Sequence, residues 1–286
     1  MIEYIKMIIV AIITGLTAPL PVSSLAHFNF FSSITGLSAE SDRLSLYYNI
    51  FMLVFSLVIF FSFRKTVTRG FALAFNPKSL KDSDKVKDKK YFVRNVLFSL
   101  LPTPLLFIPV SKGKLLADYM DSFLNVNGLI LAGLACITTA LVLVVAVWYT
   151  SKSKNLLRRA VDWKIVLRMS VYQLPCYIIP GFSHIASGAV NLFISDIGSK
   201  SLVGQLYIYL APSMFVVSAV KIIRLLVSGV LFDPLVLIIG IIVFAVAATV
   251  MVKLSLKVNI RRLFAFLSAY SAIFGIFITL ISFFIK

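Results

Sequence analysis

Apolar positions along this chain run in long blocks rather than in alternation. Residues 44–63, 95–111, 127–150, 201–227, 234–252 and 263–285 are nearly free of charge. Blocks of about 18 residues or more match the hydrocarbon thickness of a bilayer. In lipid the backbone must satisfy its own hydrogen bonds, which favours helices. A β-barrel would show short alternating strands, and no such alternation is visible. The pattern therefore predicts six helical spans. Two further apolar stretches, 5–36 and 169–195, are interrupted, the first by Gly15, Pro19, Pro21 and a serine-rich stretch, the second by Pro175, Pro180 and Gly181. Proline removes a backbone donor and clashes with the preceding turn. Each interrupted stretch is thus predicted to fold as a bent pair of half-helices.

Composition sharpens this picture. Sixty per cent of the 286 residues are apolar and 14% charged, against about 25% charged in soluble domains. The net charge of +17 would suit nucleic acid, but 20 of the 28 Lys and Arg lie in three loops, 64–94, 151–168 and 253–262. Basic loops between spans read instead as topology and anionic lipid, with no nucleic-acid partner. The positive-inside rule places all three loops in the cytoplasm of a multi-pass plasma-membrane protein. The 5–36 segment must then enter and leave on the outer side, and 169–195 on the cytoplasmic side. Each is followed by three spans. The expected fold class is all-α integral membrane, an inverted repeat of a re-entrant helical hairpin plus three transmembrane helices: six full spans and two hairpins. Repeat one covers 1–150, a basic cytoplasmic linker 151–168, and repeat two 169–286, all within one membrane domain. Such folds place their site near the midplane, where broken helices meet. The N-terminal stretch runs on through Pro19 and Pro21 and reads as part of this fold, not as a signal peptide. Cys136 and Cys176 lie in apolar segments and read as packing residues.

The chemistry-bearing residues gather at the two bends. Leu20 to His27 reads L-P-V-S-S-L-A-H and Ile179 to Ala186 reads I-P-G-F-S-H-I-A. Aligned without gaps, Pro21 matches Pro180 and Ser24 matches Ser183. The two histidines of the chain, His27 and His184, both fall here, among Ser23, Ser24, Ser183 and Ser187. An ionisable side chain at membrane depth is costly and points to function. Hydroxyls and free half-helix N–H groups form an anion cradle suited to phosphate. The same serines also suit helix capping, and the two roles are compatible. None of the eleven acidic residues lies at the centre of an apolar block, so no intramembrane carboxylate set for a metal or for acid–base work is evident. Lys221 and Arg224 stand near the outer end of a span, where snorkelling is the preferred reading and attraction of an anionic headgroup the other.

At these bends the sequence resembles the undecaprenyl-pyrophosphate phosphatase family of bacitracin-resistance membrane proteins. The family's first motif is E-G-x-T-E-x-x-P-V-S-S-x-x-H. Thr14 to His27 here read T-G-L-T-A-P-L-P-V-S-S-L-A-H, matching at Gly15, Thr17, Pro21, Val22, Ser23, Ser24 and His27. The second motif, P-G-x-S-R-S-G, meets P-G-F-S-H-I-A at Pro180 to Ala186. Leu210 to Pro212, Tyr270 and Gly275 are further echoes. The resemblance covers essentially the whole chain. It implies six spans with two inverted re-entrant hairpins, a polyprenyl (undecaprenyl) pyrophosphate or phosphate lipid as partner, catalytic work for His27, Ser24 and Ser23, and phosphate binding by Ser183, His184, Ser187, Gly181 and Thr17. A homodimer is a further expectation. Magnesium is implied as cofactor by the resemblance, although no carboxylate ligands are found. The departures fall on charged positions: the motif glutamates are Thr14 and Ala18, the motif arginine is His184, the following serine and glycine are Ile185 and Ala186, and the arginine beside the last-span tyrosine is Ser271.

The leading reading is an undecaprenyl-diphosphatase-like hydrolase that converts the pyrophosphate to the monophosphate for lipid-carrier recycling in cell-wall synthesis. The alternatives are a catalytically degenerate carrier that moves a polyprenyl phosphate between leaflets, which needs an anion site but no acid–base machinery, and a non-catalytic membrane scaffold. The hydrolase and carrier readings expect the two bends to meet around a phosphate, with His27 and His184 facing a common pocket.

Overall fold

Blocks of apolar residues become helices because only a helix pairs every backbone group within one segment. The computed structural model describes the chain except residues 38–39, 76–90, 112–113, 119–127, 153–160, 180, 196, 198, 259 and 285–286. The basic run from Lys78 to Lys90, most of the central linker and Pro180 thus lie outside the described residues.

Helices α1 (Ile2–Thr17) and α2 (Ser24–Thr35) form the first bent pair, and α3 (Ser41–Ser62) follows. After α3 come α4 (Arg64–Phe75), α5 (Phe92–Leu100) and α6 (Gly128–Lys152). The second bent pair is α7 (Trp163–Ile178) with α8 (His184–Ile194). Helices α9 (Ser199–Val227), α10 (Pro234–Ser255) and α11 (Ile260–Ile281) complete the chain. Among the described residues five helices are long and apolar enough to cross a membrane: α3, α6, α9, α10 and α11. Their outer faces stay apolar. Helix α10 exposes Leu235, Ile238, Ile242, Val246 and Val250 while burying Phe244, Ala248 and Val252. A helix apolar on both faces belongs in lipid.

Two expectations change. The span predicted at 95–111 is broken: α5 ends at Leu100, and a 3₁₀ turn over Thr103–Phe107 leads into a two-stranded antiparallel ribbon, β1 (Pro109–Ser111) with β2 (Lys114–Leu115). Pro102 and Pro104 account for the break, because proline cannot donate and disfavours helix in the residue before it. The loop predicted over 64–94 begins instead with the twelve-residue helix α4.

The packing brings distant helices together in pairs. α6 lies along α11, α1 along α10, α3 along α9, and α5 along α7. Gly133 and Gly275 let α6 and α11 approach closely, since a Cβ on either would collide with the other's backbone oxygen. Phe51 of α3 stacks on Phe244 of α10 at 4.7 Å. Neither α2 nor α8 spans a bilayer: at about 1.5 Å per residue they are about 18 and 17 Å long, short of the roughly 30 Å hydrocarbon core.

Candidate functional site

The bends are built alike. Ser23 precedes α2 in extended conformation, and its hydroxyl accepts from the Ala26 amide at 3.1 Å. Ser183 precedes α8 in the same conformation and accepts from the Ala186 amide at 3.2 Å. Both are N-caps, satisfying donors that the first helical turn leaves unpaired. The caps correct the ungapped alignment by one residue. Ser183 corresponds to Ser23, not Ser24, because the capping position fixes the register. His184 is therefore the first residue of its helix, whereas His27 is the fourth of its own.

That offset sends the two imidazoles to different places. Nδ1 of His27 lies 2.6 Å from the Ser23 carbonyl oxygen. A carbonyl only accepts, so Nδ1 carries the proton, and Nε2 accepts from the Tyr270 hydroxyl at 2.7 Å. The ring stacks on Phe274 at 3.9 Å and is 2% exposed. His184 sits 4.4 Å from the Tyr177 ring, and its Nδ1 has no hydrogen-bond partner among the described residues. Among the described residues the two histidines make no hydrogen bond or ring contact with each other, and the cavity beside His184 is not lined by His27. The link between the bends is Tyr48 of α3, whose hydroxyl hydrogen-bonds Ser24 Oγ at 3.1 Å and which shares a cavity with His184.

That cavity is a small chamber of about 10 Å³, lined by Tyr48, Asn49, Met52, Tyr177, His184, Met214, Val217, Ser218 and Lys221. A wider cleft of about 600 Å³ is lined by Ser41, Asp42, Lys114, Asp118, Lys221, Arg224, Leu225 and Ser228. Lys221 lines both. It does not snorkel as expected: it is 3% exposed, and its ammonium donates to the Ala117 carbonyl at 3.1 Å. The ribbon after α5 brings Ala117 and Asp118 over the end of α9 and so draws the lysine inward. Arg224 pairs with Asp118 at 3.0 Å.

The remaining expected residues are placed as follows. The Thr17 hydroxyl donates to Ile13 and Thr14 carbonyls at 2.8 and 3.2 Å, and the Ser187 hydroxyl to the His184 carbonyl at 3.0 Å. A hydroxyl has one proton, so in this geometry neither donates to a phosphate. The caps Ser23 and Ser183 act as acceptors in their bonds and keep their own protons for another partner. Gly181 holds a φ of +99°, and a Cβ there would run into Ala132 and Ala135 of α6. Its carbonyl accepts from Thr139 at 3.4 Å, fastening the second bend to α6. The first bend is fastened to α9 by Tyr207, which donates to the Pro19 carbonyl at 2.7 Å.

The donor set at the bends does not fit a protein-held divalent ion. Thr14 and Ala18, at the positions of the motif glutamates, supply no carboxylate. Among the described residues no three His, Cys, Asp or Glu side chains come together.

Sequence reasoning missed Tyr48, Tyr177 and Asn49 as site residues and misjudged Lys221. Their signal was spacing. Tyr48, Asn49 and Met52 share one face of α3, and Met214, Val217, Ser218 and Lys221 one face of α9, at intervals of three and four.

A family model described as bacitracin resistance protein BacA matches residues 7–277. The chain is similar to an undecaprenyl-diphosphatase of Lacticaseibacillus paracasei, 28% identical over 264 residues and 90% of each chain. It is similar to an undecaprenyl-diphosphatase of Lactobacillus delbrueckii subsp. bulgaricus, 27% identical over 293 residues and 98% of each chain. Undecaprenyl-diphosphatase 2 of Bacillus thuringiensis is 25% identical over 200 residues, 68% of this chain and 66% of the relative.

Proposed function

This chain belongs to the bacitracin resistance protein BacA family, and we propose that it hydrolyses undecaprenyl pyrophosphate to the monophosphate, with water cleaving the phosphoanhydride and inorganic phosphate leaving, for lipid-carrier recycling. The observation that carries this reading is a headgroup-sized polar cleft at one end of the bundle that meets the His184 chamber. A volume of about 600 Å³ falls within the range of small-ligand sites, about 300–1,000 Å³.

The roles follow from the geometry. Ser23 and Ser183 cap their helices and offer O–H donors beside positive helix ends, where a phosphate is favoured. Ser24 and Tyr48 join the two bends. His184 faces the chamber and exchanges a proton with the phosphate through the one water that the chamber has room for. His27 acts through Tyr270, whose hydroxyl meets Nε2 of the buried imidazole at 2.7 Å, so a proton reaching Nε2 passes through that hydroxyl. No step runs through a metal ion.

The inverted repeat belongs to the same reading. Superposing α1 on α7, α2 on α8, α3 on α9, α5 on α10 and α6 on α11 maps the α3–α9 and α6–α11 pairs onto themselves and exchanges α1–α10 with α7–α5. That self-consistency is what a two-fold relation between repeats requires. The lengths of α2 and α8 support hairpins that enter and leave on one side, and the three basic loops then lie in the cytoplasm, with the protein in the plasma membrane.

The test is release of inorganic phosphate from undecaprenyl pyrophosphate by the purified protein, with and without Mg²⁺. Turnover that falls at least 10²-fold in His27→Ala supports the proposal. Release no faster than in that variant removes it.

A further inference from the structure

Three cavities lie in register along the α3–α9 seam. The cleft takes Ser41 and Asp42 from α3 and Lys221, Arg224 and Leu225 from α9. Below it the chamber takes Tyr48 and Met52 from α3 and Met214 and Ser218 from α9. Beyond that an apolar groove of about 420 Å³ takes Ser56, Ile59 and Phe60 from α3 and Ile208, Pro212 and Phe215 from α9. Residue numbers rise along one helix as they fall along the other, so polarity drops steadily along a single line from charged cleft to hydrocarbon groove. Lys221 stands at the first boundary.

A buried ammonium in an apolar helix is costly and marks an ion or substrate path. Of the nine residues described as lining the chamber, Lys221 is the one with a fixed positive charge. Its ammonium, which also donates to the Ala117 carbonyl, suits a phosphate oxygen as a point-charge partner. The chamber, at about 10 Å³, holds about one water and excludes a phosphate group. A phosphate on this line therefore sits on the cleft side of Lys221, within reach of its ammonium, with the His184 chamber on the other side of the lysine.

We propose that Lys221 is the cation that anchors the phosphate end of a pyrophosphate ligand where the outer cleft meets the His184 chamber. Resting on the reading that this chain takes a pyrophosphate lipid, the assignment adds a residue that carries the headgroup's charge. Lys114 adds positive charge at the rim of the cleft, where Arg224 is paired with Asp118 and Asp42 adds a negative charge.

The probe is inorganic pyrophosphate, read by the thermal unfolding of the purified protein in detergent, with turnover of undecaprenyl pyrophosphate measured alongside. Wild type should be stabilised saturably, and increasingly less so as ionic strength rises. Lys221→Met, which keeps the apolar stem, should raise the apparent dissociation constant at least tenfold, and Lys221→Arg should restore it to within a few fold. Lys221→Gln carries the same comparison if the methionine variant does not fold. The assignment is overturned if wild type gains no stability from pyrophosphate, or if the methionine or glutamine variant gains it at wild-type concentrations. Binding that depends on Lys221 without any turnover would leave the anchor standing and remove the hydrolytic reading.

Discussion

His27 and His184 look alike in the sequence and differ in surroundings. Both ring nitrogens of His27 are engaged, by the Ser23 carbonyl and Tyr270, whereas Nδ1 of His184 is without a hydrogen-bond partner among the described residues. Tyr270→Phe leaves His27 Nε2 buried and unpaired, which costs about 1–3 kcal/mol. A lower apparent melting temperature in detergent would register it. If the phenol relays the proton, kcat should fall as well, and full activity in Tyr270→Phe would refute the relay. Gly181→Ala is expected to be more damaging to the fold, because φ is +99° and the new methyl meets Ala132 and Ala135. A strained φ costs of order 1–3 kcal/mol before any clash, and loss of monodisperse protein on gel filtration in detergent is the expected outcome. The bends were legible from proline, glycine and serine, since those residues dictate local backbone. The histidine environments were not, because they depend on Tyr270 and Phe274, more than 240 positions away from His27.

At the scale of single elements, the N-caps decide where α2 and α8 begin. Ser23→Ala and Ser183→Ala should each lower stability by about 1 kcal/mol. With separate partners, the double variant should lose close to the sum, read from unfolding midpoints in detergent. A loss confined to one site would show that the two bends are not built alike. Six apolar blocks were visible in sequence, and five became long helices. The sixth failed because hydropathy does not weigh Pro102 and Pro104, which end α5 and turn the chain into the β1–β2 ribbon. That ribbon in turn buries Lys221 beneath Ala117, a consequence no local pattern encodes. The charge of Lys221 suggested an exposed lysine, and only the packing of a distant segment over α9 reverses it.

Over the whole molecule, the proposed orientation rests on charge asymmetry. With Cys136 and Cys176, both buried, replaced by alanine, single cysteines at positions 84, 155 and 257 should react only with reagents that reach the cytoplasm. A cysteine at position 230, in the α9–α10 connection, should react from outside. Labelling of the first three from outside would invert the orientation. Hydrolysis and mere carriage differ in the fate of the lipid, because a carrier leaves the phosphoanhydride intact. The most direct measurement is therefore the lipid itself. Vesicles holding purified protein and undecaprenyl pyrophosphate are extracted over time and their undecaprenyl species separated. Monophosphate should accumulate one for one with inorganic phosphate, and not in vesicles holding the His27→Ala, His184→Ala double variant. Pyrophosphate that stays whole in the presence of folded wild-type protein would contradict the proposal.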